Sequence, residues 1–262
     1  MEIVLVCLVA FAGSALTLYS GFGLGTVLLP AMALLFPAET AVAAAAVVHL
    51  SNNLFKAGLV GKSAHWPTVL RFGLPAVLGA IIGALLLGAL GSGGPVFSFE
   101  AFGRTLAPTG AGLVIGLLLI VFAALELQKW FQKLGFPVRF IPLGGVFTGF
   151  FGGLSGQQGA LRSAFLLKSG LGAQQFIATG VMIAILIDLA RLPTYAISLT
   201  GSPQLAESEA ILRIAAAMLS AFAGAWLGAR YFQKATIGSV RIVVAAAMIA
   251  IGAGMATGLL SN

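Results

Sequence analysis

Ser155, Gln157, Gln158 and Arg162 stand close together between long apolar runs, with glycines at 152, 153, 156 and 159. A planar guanidinium beside amide and hydroxyl donors suits the oxygens of a carboxylate, sulfonate or phosphate. An arginine in the middle of a membrane span costs about 2.5–3.5 kcal/mol on insertion scales, so it needs a counter-charge, a wet cavity or a ligand. Arg162 therefore has two readings, an anion clamp or a structural partner of Asp188. Asp188 and Arg191 are three residues apart, share a helix face and can neutralise each other. A carboxylate at that depth can also relay protons. Histidine is the side chain whose ordinary pKa lies nearest neutral pH, so His49 joins Asp188 as a candidate for coupling to H+ or Na+. Asn52 and Asn53 lie one turn from His49 and from Lys56. They read as substrate donors or as interhelical hydrogen-bonding groups. A barer stretch, Gly21 to Pro30, offers Gly23, Gly25 and Thr26 in a second glycine-rich interruption. The candidate anion-binding set is thus Gly23, Gly25, Thr26, Asn52, Asn53, Ser155, Gln157, Gln158, Gly159, Arg162 and Arg191.

The elements that must carry these residues belong to a membrane. The chain has 262 residues, 60% hydrophobic and 8% charged, with a mean hydropathy of +1.08. Soluble domains carry about 25% charged residues. Several apolar runs exceed the ~18 residues that mark a bilayer-spanning helix. Alternating apolar and polar residues, the mark of a membrane β-barrel, are not visible. The expected class is an all-α polytopic membrane protein. Net charge +7 then reports which loops stay cytoplasmic rather than a nucleic-acid partner. The single cysteine, Cys7, excludes an internal disulfide. No metal or other cofactor is called for. Gly79/Gly83, Gly112/Gly116 and Gly224/Gly228 have the four-residue spacing that lets helix backbones approach closely in lipid.

Read in order, the chain repeats itself. Residues 1–130 hold a broken element over 3–36, then spans at about 40–60, 72–90 and 105–127. Residues 135–262 hold a broken element over 140–168, then spans at about 173–199, 211–229 and 242–260. At a nearly constant offset Gly25 falls on Gly159, Asn53 on Asp188, Lys56 on Arg191, and Gly83-Ala84 on Gly224-Ala225. Four matches in one order mark an internal repeat.

Charge fixes how the halves are oriented. If each broken element is a re-entrant hairpin, each half crosses three times, and the second half is inverted. The loops at 62–71, 129–139 and 230–241, rich in Lys and Arg, then all face the cytoplasm. The loops at 91–104 and 200–210, with both termini, face outward. If each broken element spans once, 230–241 moves outside, against that asymmetry. The expected architecture is two inverted repeats, each a re-entrant broken-helix hairpin plus three transmembrane helices. Such folds bind ligands near the midplane where half-helix ends meet, and half-helices starting near Thr26 and Ala160 would point positive N-terminal ends there.

The stretches GFGLGTVLLP (Gly21 to Pro30), PAETAVA (Pro37 to Ala43) and GGLSGQQGA (Gly152 to Ala160) resemble the sulfite exporter TauE/SafE family of permeases. The resemblance covers essentially the whole chain. It implies export of a small sulfur-containing anion, such as sulfite or an organosulfonate, across the bacterial cytoplasmic membrane, driven by an ion gradient. Gln157-Gln158 stands where the family has a glycine cluster, Arg162 enters the half-helix, and Ala164 replaces a proline that would echo Pro30. A larger carboxylated or sulfonated anion remains an alternative, as does an anion channel. An intramembrane enzyme would need paired carboxylates, a histidine cluster or a nucleophile–histidine arrangement, and catalytic candidates are absent. The partners expected are a small anion, the lipid bilayer and a coupling ion, and a homodimer is compatible with the pattern.

Overall fold

A computed structural model describes residues 2–20, 24–101, 103–198, 208–231 and 237–260. The chain is a bundle of helices. In the first half these are α1 (Glu2–Ser20), α2 (Leu24–Met32), α3 (Ala38–Val60), α4 (Trp66–Gly91) and α5 (Gly110–Leu127). A short α6 (Lys129–Gln132) lies in the central linker, and α7 (Ile141–Ser155), α8 (Gly159–Leu166), α9 (Ala173–Ser198), α10 (Ser208–Tyr231) and α11 (Ile237–Thr257) follow. Among the described residues five segments are long and apolar enough to cross a bilayer: Trp66–Gly91, Gly110–Leu127, Val138–Ser155, Ala173–Ser198 and Ser208–Tyr231. The protein is a multi-pass helical membrane protein.

The outward faces agree with a lipid surround. On α4, Leu74, Leu78, Ile82 and Leu85 are exposed in one stripe, while Ala76, Gly79, Ala80 and Gly83 face inward and are buried. Large apolar residues outside and small ones inside reverse the pattern of a water-soluble helix. In lipid, packing rather than the hydrophobic effect joins helices, and small residues make that packing close. All three glycine pairs named above lie against another helix. A Cβ at Gly79 or Gly83 would overlap the carbonyls of Val146 and Phe150 on α7. At Gly116 it would lie 2.7 Å from the Ala256 nitrogen on α11, and at Gly228 2.5 Å from the Ala15 oxygen on α1. The seam on α7 holds a further run, Gly145, Gly149 and Gly153, set against the carbonyls of Phe72, Ala76 and Ala80.

Both interrupted elements fold back on themselves. A Cβ on Gly13 of α1 would lie 3.1 Å from Leu24 and 3.4 Å from Val27, so α2 returns along α1. In the second half α7 ends on Gly156, whose left-handed φ of 74° and N–H bond to the Gly152 carbonyl (3.0 Å) close the helix. The α8 helix then runs back until the Phe136 N–H donates to the Ala164 carbonyl at 3.1 Å. The Phe136 and Phe165 rings stack at 4.2 Å. The end of α8 therefore lies beside the start of α7.

Three expected span starts are corrected, one of them simply because α11 already begins at Ile237 where 242 was expected. The span expected from 72 starts at Trp66, because the polar run at 65–71 is itself helical. Pro67 occupies an early position where its missing N–H costs no helix bond, and Thr68 and Val69 donate to the His65 carbonyl at 3.0 Å. The span expected from 105 starts at Gly110. Arg104–Leu106 instead pairs antiparallel with Phe99–Ala101, turning at Gly103 (φ 71°). Thr109 then caps α5 by accepting from the Gly112 N–H at 3.1 Å.

Candidate functional site

The two breaks meet. A Cβ on Gly25, in the first turn of α2, would lie 3.0 Å from the Gly156 carbonyl oxygen and 3.7 Å from the His49 ring. A Cβ there would have to push the Gly156 carbonyl back by a few tenths of an ångström, so glycine lets the start of α2 rest closely on the turn between α7 and α8 with α3 alongside. Thr26 and Gln157 flank this contact from opposite halves of the chain, and both are buried. Among the described residues the Thr26 hydroxyl and the Gln157 side-chain nitrogen have no hydrogen-bond partner. Buried donors left without partners are rare, because each carries a desolvation cost of about 1–3 kcal/mol.

Beside them lies a charged network centred on Asp188 of α9, which is 0% exposed. Its Oδ1 accepts from Arg191 Nε at 2.9 Å and Nη2 at 2.8 Å, and its Oδ2 lies 2.6 Å from His49 Nδ1. Arg191 Nη1 also donates to the Gly152 carbonyl at 2.8 Å, and the Tyr195 hydroxyl donates to the Gly153 carbonyl. The last turn of α7 is thereby tied to α9 by two residues of one α9 face. Gln158 Nε2 donates to Asp188 Oδ1 at 3.3 Å, while its Oε1 accepts from Arg162 Nη1 at 3.4 Å. Arg162, half-buried on α8, runs over Gly180 of α9, where a Cβ would lie 3.3 Å from Nε. Among the described residues no carboxylate closes an ion pair on Arg162.

The remaining candidates divide. Gly159 opens α8 and is buried at the break. Asn53 donates to the His49 backbone carbonyl at 2.9 Å, with its amide against the imidazole ring. Asn52 accepts from Ser14 of α1 at 2.9 Å. With its amide turned over, it also reaches Ala221 of α10 at 3.2 Å and Lys56 Nζ at 3.1 Å. It therefore stitches helices together instead of joining the Asp188 network. Ser155 donates to the Phe151 carbonyl one turn back at 3.1 Å. Gly23 lies outside the described residues.

Two features go beyond the sequence reading. Lys56, which position near a helix end suggests would snorkel outward, is 4% exposed and turned inward to the Asn52 amide. Tyr195 escaped notice although it continues the polar stripe of Asp188 and Arg191 at helical spacing. The polar core around the breaks thus holds the basic side chains of Lys56, Arg162 and Arg191 together with His49 and the carboxylate of Asp188.

Basic side chains outnumber carboxylates where the two breaks meet, and the Thr26 hydroxyl and Gln157 amide nitrogen have no partner among the described residues. No curated protein sequence matches the chain. A model of the sulfite exporter TauE/SafE family matches residues 5–255, and the chain belongs to that family of membrane permeases.

Proposed function

We propose that the chain is a secondary transporter exporting a small sulfur-containing anion, such as sulfite or an organosulfonate, across the bacterial cytoplasmic membrane. The anion rests where α2 and α8 begin, held by Thr26, Gln157 and Arg162 and by the free N–H groups of the helix ends. What carries this reading is the cation excess at the meeting of the two breaks, with the Thr26 and Gln157 donors unpartnered. Arg191 commits three of its N–H groups to Asp188 and the Gly152 carbonyl, so Arg162 is the proposed clamp. The family's description as a sulfite exporter supports the substrate class. The ion gradient enters through His49 and Asp188 as a proton gradient.

The architecture proposed is two inverted repeats, 1–130 and 135–262, each a re-entrant hairpin and three spans, with both termini outside. The return of α2 along α1 and of α8 along α7 supports the hairpins. The exchanged packing supports the repeat, since α1 packs on α10 as its counterpart α7 packs on α4. In a background with Cys7 replaced by alanine, a cysteine at position 201 is expected to react with an impermeant thiol reagent from outside, and one at 239 from inside. The opposite pattern defeats the two-hairpin topology.

For the site, binding of sulfite, sulfate, methanesulfonate and acetate to the purified protein is the direct measurement. Removing one charge-assisted contact costs about 1.5–3 kcal/mol, so Arg162→Ala is expected to weaken the preferred anion roughly 10- to 100-fold. Equal binding by both proteins removes Arg162 from the site. Saturable, gradient-dependent flux in vesicles separates a carrier from a channel.

A further inference from the structure

The proposed anion clamp, Arg162, and the His49–Asp188 pair are separate groups, and one residue touches both. Gln158 sits in the turn between α7 and α8, 1% exposed, packed against Gly152 with 3.3 Å between its Cβ and the position a Cβ would take there. Its carbonyl oxygen faces Arg162 at 3.4 Å and its NH2 group faces Asp188 at 3.3 Å. An amide is the side-chain group that can accept from a guanidinium at one end and donate to a carboxylate at the other. A glutamate would set a second anion against Asp188, and a lysine would repel Arg162. The orientation is fixed by these neighbours, since turning the amide over would place NH2 on guanidinium and oxygen on carboxylate.

We infer that Gln158 is the positioning residue that couples anion occupancy to protonation of the His49–Asp188 pair; this rests on the anion-transport reading above. An anion arriving at Arg162 competes for the guanidinium protons that Gln158 now accepts. As Arg162 turns to the anion, the amide is freed to move, and Asp188 Oδ1 loses its third donor. Each state of the amide thus favours a different charge state of the pair. The groups that face this pair are Arg162 on α8 and Arg191 and Tyr195 on α9, while Lys56 on α3 faces Arg162. The α7 helix contributes the Gly152 and Gly153 carbonyls, which Arg191 and Tyr195 already occupy.

The sign follows from the lost donor. An anion that draws Arg162 away frees the Gln158 amide from Asp188, and a carboxylate with one donor fewer holds a proton more tightly, so anion affinity rises as pH falls. By reciprocity, anion binding takes up protons. The alternative is coupling by field alone, in which Arg162 and Asp188 sense each other through space and Gln158 is packing.

The test measures protons taken up per anion bound, in weakly buffered solution at saturating sulfate or methanesulfonate, whose own charge does not change near neutral pH. The ratio is independent of affinity, so a variant that merely binds less tightly leaves it unchanged. The wild type is expected to take up on the order of one proton per anion, and Gln158→Leu to take up close to none. Gln158→Asn keeps the amide but is one methylene shorter and cannot bridge both neighbours. It should match Gln158→Leu, and it serves where the leucine variant fails to fold. Uptake unchanged in a folded variant overturns the coupling role and leaves the transport reading intact. Anion binding by the wild type without any proton uptake also overturns it. Failure of the wild type to bind either probe removes the transport reading and this inference together.

Discussion

Gly149→Leu is expected to leave almost no folded protein. A Cβ at this position would fall on the Ala76 carbonyl oxygen and 2.7 Å from its carbon. Neither atom belongs to a side chain that could swing away. The neighbours on the same face, Gly145 and Gly153, are set equally close to Phe72 and Ala80. One added side chain therefore cannot be absorbed locally, and α7 must lift from α4 along the seam. Overpacking costs about 1–3 kcal/mol where neighbours can yield; here the whole contact is lost. The monodisperse fraction after detergent extraction should fall to less than about a tenth of wild type, since even 1–2 kcal/mol changes abundance several-fold. Gly172→Ala is the control, because an added Cβ there meets nothing within 4 Å. A Gly149→Leu protein that elutes like the wild type would show that the two helices can separate freely.

Asp188→Ala should be nearly as damaging, for an electrostatic reason. Asp188 is the shared partner of Arg191 and His49 and receives Gln158 as well. Removing one member of a buried ion pair costs about 3–5 kcal/mol, because the other charge stays behind without its counter-ion. Thermal unfolding in detergent should report that loss. Exchanging both partners in Asp188→Leu/Arg191→Leu should recover part of the stability, since well-packed apolar replacements of such pairs are often near neutral. Transport should remain absent in both proteins. Full stability in the single variant would mean that the carboxylate does not hold the network.

The parts of this fold that were legible in sequence are those set by local spacing. Gly79/Gly83 and Gly224/Gly228 announced helix seams because close approach demands a small residue each turn. Asp188 and Arg191 announced an ion pair because three residues put them on one face. Arg162 stood out by its insertion cost alone. The partner of each seam was not legible, nor was the run at Gly145, Gly149 and Gly153, which the glycines of the break obscured. His49 meets Asp188 across 139 residues of chain, and no local rule connects them. Lys56 was misplaced because a lysine near a helix end ordinarily reaches outward, whereas here the Asn52 amide draws it in. The start of α5 was misplaced because the stretch from Thr105 to Thr109 carries no charge and runs directly into the apolar helix.

The seams have a consequence for how the chain comes into being. Gly79 and Gly83 lie against α7, Gly112 and Gly116 against α11, and Gly224 and Gly228 against α1. Each joins a helix made early by the ribosome to one made late. The first helices must therefore wait in the bilayer with their narrow faces uncovered until the second set is threaded among them. A nascent chain halted in the central linker holds helices cut to fit neighbours that do not yet exist.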